Sequence, residues 1–286
     1  MRREWILTVA VAAAMLTVAC TGITLPNIKR VEVGETQSKD IRVPAPDGGA
    51  EQTLEISMGA GSLVVAPGAD DALVDGTVQY NIAEIEPELW TSERQVQIKQ
   101  GKLDGIPNLD DSLVNKWDLR LGSTPMELTL NVGAASADIE LGGLALTDLA
   151  VSQGASSFDL AFSEANRAEM DRFSIVAGAS KMNLSGLANA NAAQVTFRGG
   201  AGSYTLRFDG ELRRDVEVTI DAGLGQMVII VPEGVAAEVT FEGAATDVDA
   251  VHEWERTDSG FALSGEGPII TFQIKMGMGG LELRNK

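Results

Sequence analysis

Five glycines spaced 21 to 24 residues apart, Gly133, Gly154, Gly178, Gly200 and Gly223, constrain this chain more than any other feature. The same frame is written around each of them. Apolar residues stand five and three positions before the glycine, as in Leu149/Val151 and Phe173/Ile175. Others stand four and six positions after it: Ala137/Ile139, Phe158/Leu160, Met182/Leu184, Tyr204/Leu206 and Met227/Ile229. A small residue occupies the second position past each glycine. The frame fits twice more, at Gly59 and at Gly277. Residues two apart on a strand point to one face, so each copy encodes two short strands meeting at a bend. Glycine suits the bend because it tolerates φ > 0, and the small residue beyond it admits a close backbone neighbour. One copy cannot bury its apolar stripe alone. Stacked copies can, and a period in this range is the mark of a solenoid. The expected fold is all-β, a parallel β-solenoid of about seven coils with irregular capping segments. An antiparallel sandwich is the competing architecture, but its hairpins would reverse the frame in alternate copies.

By pattern the 286 residues divide into five stretches. Residues 1–20 read as a lipoprotein signal peptide. Arg2 and Arg3 precede an apolar run, Ile6 to Ala19, that is short for a transmembrane helix. The run ends in Leu16-Thr17-Val18-Ala19-Cys20, which resembles the bacterial lipobox, with Thr17 where leucine is usual. The resemblance makes Cys20 the lipid-attachment residue and the mature N-terminus. The alternative is an ordinary secretory signal with an incidental cysteine. Cys20 is the only cysteine, and a lone thiol in an exported chain otherwise calls for a partner. Residues 21–53 read as a flexible tether, broken by Pro26, Pro44, Pro46 and Gly48-Gly49, in which Val31/Val33 and Ile41/Val43 have the spacing of brief strands. Residues 54–126 hold the Gly59 copy and then a long departure from the period, an N-terminal coil and cap. Residues 127–245 are the regular coils, and within them Ser163 to Met170 reads as a short helical turn. The period lapses from Gly243, so residues 246–286 read as an insertion followed by a last coil that caps the stack. Trp90 and Trp117 read either as covers for an open end or as exposed platforms for carbohydrate, the cover being the commoner role.

Charge and residue counts exclude several functions. The formal net charge is −19, with 41 acidic against 22 basic residues, which opposes binding to nucleic acid and to anionic headgroups. With Cys20 given to the anchor no cysteine nucleophile remains, and His252 alone cannot form a histidine metal cluster. Neither a Gly-x-Ser-x-Gly elbow nor a phosphate-cradling glycine loop is present. No cofactor and no enzymatic activity are therefore expected. What remains is a set of outward carboxylates. In stacked coils Asp138 and Asp159 would stand opposite each other about 4.8 Å apart, flanked by Glu140 and Asn183. Three readings stay open: a solvated acidic face, a contact site for a hard cation or other ligand, or an acid–base pair for a glycosidic bond.

The strand Trp117-Asp118-Leu119-Arg120-Leu121, the run Pro125-Met126-Glu127-Leu128 and the Gly-Ala-small coils resemble the toast-rack domain. That domain occurs in LiaF-like cell-envelope stress proteins and in a bacterial "putative adhesin" family. The resemblance spans about Leu54 to Leu283 and implies a β-solenoid at the cell envelope, with no catalytic residues to carry over. In some relatives it implies modulation of a sensor kinase. This chain departs from the LiaF pattern in showing no transmembrane helices. The function expected is thus that of a lipid-anchored, extracytoplasmic interaction module, adhesin-like or an envelope-stress component. Its partners would be the membrane, through the N-terminal lipid, and a protein or glycan at the cell surface. A polysaccharide-processing enzyme on a parallel β-helix and a passive surface spacer are the rivals. A deep cleft with convergent charges would mark the first, and the lack of any contiguous exposed apolar or aromatic patch would mark the second.

Overall fold

The structure, a computed structural model, describes residues 30–107, 113–251 and 253–286. Cys20, His252, Asp110 and Asp111 lie outside the described residues. The chain is all-β, and among the described residues only two three-residue 3₁₀ turns accompany the strands. Each glycine frame makes the two strands its alternation encodes. In Met126–Glu140, Ala192–Arg207 and Val216–Val231 one long strand runs through the bend. In two copies the bend divides it, into Leu146–Gln153 with Ser157–Ala161 and into Met170–Ala177 with Ser180–Ser185.

Neighbouring copies pair in parallel and in frame. Leu149 lies between Leu128 and Phe173, and Leu160 lies between Ile139 and Leu184. The antiparallel sandwich is not formed. Because Met126–Glu140 and Ala192–Arg207 each serve both ladders, these two strands and the four between them close a ring of six parallel strands. The inward pairs form the core of the ring and of the copies stacked on it. Phe158, Leu160, Met182, Leu184, Tyr204, Leu206, Met227 and Ile229 are all buried. Edge-on ring contacts fasten the core, Phe197 to Tyr204 of the same strand at 4.9 Å and Phe208 to Phe272 at 5.1 Å. Burial also pushes the Tyr204 phenol above its ordinary range, while its hydroxyl donates to the carbonyl of Gly178 at 3.2 Å.

The reason for the frame glycine differs from the expected one. None of the seven has a positive φ. They are needed because the backbones touch. A Cβ on Gly200 would lie 2.9 Å from the carbonyl oxygen of Gly178, one on Gly223 would lie 2.9 Å from that of Gly200, and one on Gly277 would lie 2.6 Å from that of Gly223. The glycines form a column, each seated on the carbonyl of the one before. Positive φ occurs instead two residues on, at Gly61, Gly225 and Gly279.

Both ends of the stack depart from the expected order. The departure between Gly59 and Gly133 contains a further, divided copy. Gln95–Gln100 and Asn115–Leu121 lie parallel to the two halves of Gln52–Pro67, on the side away from Met126–Glu140. Antiparallel strands then close this end. Gln37–Pro44 pairs with Ala72–Tyr80, which pairs with Asn115–Leu121, and Pro87–Thr91 pairs with Gln95–Gln100. Within the stretch read as a tether, Gln37–Pro44 is therefore sheet, with Ile41 and Val43 buried. At the other end the last copy, Ile269–Asn285, does not cap. It is inserted between Val216–Val231 and Ala236–Ala250. Ala236–Ala250 continues the ladder where the period was read as lapsing, and the antiparallel strand Gly260–Leu263 closes it. Glycine is missing from its expected place there, which hid the copy. Ser163 to Met170 forms bends and no helix. Buried Asn166 holds that loop: its Oδ1 accepts from Leu146 N at 2.8 Å, and its Nδ2 donates to the carbonyls of Leu146, Ala168 and Ala190.

Candidate functional site

The outward face of the second ladder carries the acidic row. Its register is the one expected, with Asp138 opposite Asp159 and Asp159 opposite Asn183. The side chains are already engaged in different ways. Asn183 Nδ2 donates to Asp159 Oδ1 at 2.6 Å. Glu140 turns away from the pair, and its Oε1 accepts from the amides of Gly142 at 2.6 Å and Ser163 at 3.0 Å. Asp138 is exposed. Arg207, a base farther along this face, lies 3.8 Å from Asp209. Among the described residues no three His, Cys, Asp or Glu side chains group closely enough to hold a metal ion. Two exposed carboxylates on an open face can repel less simply by diverging into water. Millimolar Ca²⁺ is accordingly expected to shift thermal unfolding little relative to chelator. A rise of many degrees that Asp159→Asn removes would establish a cation site instead.

The sequence reading passed over the first ladder, whose outward face is different in kind. One row of it runs from strand to strand in unbroken register. Trp90 stands opposite Gln97, Gln97 opposite Glu55, and Glu55 opposite Thr129. Ala150, Ser174, Thr196 and Thr219 continue it. Glu55 is its one charged member along this length, and Lys99 Nζ neutralises it at 3.1 Å. The two tryptophans separate cleanly. Trp117 is 1% exposed and packs in the core, whereas Trp90 is 51% exposed. A signal for this row was available, because its members stand four residues before each frame glycine. It lacked charge, and so drew no notice.

Beside that row, at the glycine bend, lies an open trough of about 570 Å³. Ser57, Asn131, Ser152 and Val176 form one wall and the glycine column the other. No charged side chain lines it. The uncharged edge extends well beyond the trough. From one residue before the glycine to three after it, Lys181 is the only charged residue in all seven framed copies. Along the crest of the bend Ala60, Ala134, Ala155, Ala179 and Ala201 are exposed, and the crest ends in Leu224 and Met278, 50% and 55% exposed. Register places Ala201 beside Leu224 and Leu224 beside Met278.

Residues 32–172 match the N-terminal domain of toast_rack, DUF2154. Over these residues the chain is a member of the toast-rack family. The toast-rack match takes in the antiparallel end, the Gly59 copy and the first two regular copies. Among solved structures the chain is similar to a "putative cell adhesion protein" from Clostridium sporogenes, at 18% identity and a TM-score of 0.46, over 88% of this chain and 100% of that one. It is also similar to a "putative adhesin" from Bacteroides fragilis, at 11% identity and a TM-score of 0.43, over 89% and 99% of the two chains. A third, a "putative adhesin" from Parabacteroides distasonis, has 12% identity and a TM-score of 0.46, over 89% and 100%. Comparison with curated proteins gives no match. Among the described residues no helix of this chain is long and apolar enough to cross a membrane.

Proposed function

We propose that this toast-rack chain is a lipid-anchored, extracytoplasmic β-solenoid, with the two further copies added to the seven framed ones, that acts by binding, as an adhesin-like or envelope-stress surface module, and not as an enzyme. The observation that carries the reading is the uncharged bend. A chain with a formal charge of −19 keeps charge off one long edge, sinks an open trough beside it and leaves apolar side chains exposed along its crest. Water-facing apolar surface in a continuous patch marks a place of contact. A passive spacer has no use for it. An acid–base enzyme would place its titratable groups in a cleft, and the trough has none.

Two measurements test the proposal. Metabolic labelling with a lipid precursor is expected to mark the wild-type protein, and Cys20→Ser is expected to abolish the label. An unlabelled wild type released freely into the medium refutes the anchor. Beads coated with the protein should adhere to envelope preparations from the organism that makes it. The double variant Ala155→Glu/Ala179→Glu, which places two carboxylates on the crest, should lose that adhesion while its unfolding midpoint stays close to wild type. Wild-type beads that do not adhere refute the binding role.

A further inference from the structure

We infer that the outward face of the first ladder is a carbohydrate-binding channel for an uncharged glycan chain, with Trp90 as its stacking platform. The inference rests on the binding role proposed above and names the ligand class. The channel's shape comes from side-chain length. Thr129, Ser174 and Thr196 are short and half-buried. Along one side stand the longer Glu127, Asp148 and Arg172, which with Thr129, Ala150 and Ser174 line an open depression of about 380 Å³. Along the other side the face runs on into the trough of about 570 Å³. A narrow row bounded by long side chains on one side and open to the trough on the other offers an extended surface that suits a thin polymer.

Its chemistry selects the class. Gln97, Thr129, Ser174 and Thr196 make no side-chain hydrogen bond within the described chain, so their hydroxyl and amide groups are free to donate and accept. They share one row with Glu55, which follows Gln97, and Ala150, which follows Thr129, and successive members of that row lie about 4.8 Å apart. Such groups match the alternating donors and acceptors of sugar hydroxyls. The exposed indole of Trp90, in register at the end of the row, offers a flat apolar surface to the C–H face of a sugar ring. An anionic polymer is disfavoured, since Glu55 is already paired with Lys99 and the whole chain is strongly negative.

The test is titration of the intact protein with a panel of neutral and anionic glycans, followed by tryptophan fluorescence. Trp90 is the exposed tryptophan among the described residues, so a neutral glycan is expected to change the emission. Trp90→Ala is expected to remove that change and weaken binding by about tenfold or more, the loss typical of a buried aromatic anchor. Thr129→Glu should weaken binding as well, with circular dichroism and unfolding unaltered in both variants. Neutral glycan binding that survives Trp90→Ala overturns the placement on this face. Beads that still adhere to envelope preparations while no neutral glycan of the panel binds or competes overturn the glycan and leave the binding role standing. Absence of adhesion by the wild type sinks the binding role itself.

Discussion

Gly225→Ala is expected to destabilise the fold by several kcal/mol, and of the single substitutions considered it has the largest effect. Two costs act together. Gly225 has φ near +145°, a conformation L-residues rarely enter, and strain of that kind costs about 1–3 kcal/mol. In addition, the new Cβ would overlap the carbonyl oxygen of Gly202 in the neighbouring strand, which pairing holds in place. That oxygen cannot move without breaking a ladder shared with Ser180 on its far side. Gly234→Ala separates the two terms. Gly234 also has positive φ, at +80°, but nothing lies within 4 Å of the position a Cβ would take. Its cost should be about 1 kcal/mol. Denaturant unfolding of both variants measures the difference. Equal losses would show that backbone conformation, and not the contact between copies, sets the requirement for glycine.

Leu184→Ala should cost on the order of 2–5 kcal/mol. Leu184 is fully buried and in register with Leu160 on one side and Leu206 on the other. Removing three carbons there opens a cavity between layers whose strand spacing is held by backbone hydrogen bonds, so the site can collapse little. Asn183→Ala, one residue away on the outward face, is the matched control. It removes one hydrogen bond to Asp159 at a partly exposed site and is expected to cost about 1 kcal/mol or less. A loss at Asn183 equal to that at Leu184 would contradict the inward and outward assignment of the two.

The acidic row and the uncharged row show different sides of what could be read in advance. Asp138 and Asp159 could be placed opposite each other because both stand five residues after a frame glycine, and in-register parallel pairing preserves that offset. What their side chains do depends on loops outside the frame. Glu140 is drawn away by the amides of Gly142 and Ser163, which the turn brings to it. Trp90 and Trp117 were likewise indistinguishable by residue type. Trp117 sits in an alternating run whose strand is covered on both sides, by Gln52–Pro67 and Ala72–Tyr80. Trp90 lies on a short strand that pairs with Gln95–Gln100, opposite outward-facing Gln97.

The period-two alternation and the glycine interval by themselves determined that the chain is all-β, which residues point inward, and which residue of one copy meets which residue of the next. These properties are local, because a strand's facing follows from alternation and its register follows from a bend at a constant offset. Only the tertiary structure decided the order of the stack. Every copy presents nearly the same inward pairs and the same glycine, so any copy can serve as neighbour to any other as far as the pattern goes. Gly277 therefore seats on Gly223 as well as the next copy along the chain would, and Ile269–Asn285 takes a place inside the stack. Which strand lies at an end depends on which one finds an antiparallel partner to cover it. Gln37–Pro44, Ala72–Tyr80 and Gly260–Leu263 provide that cover through contacts distant in sequence, which no periodicity encodes.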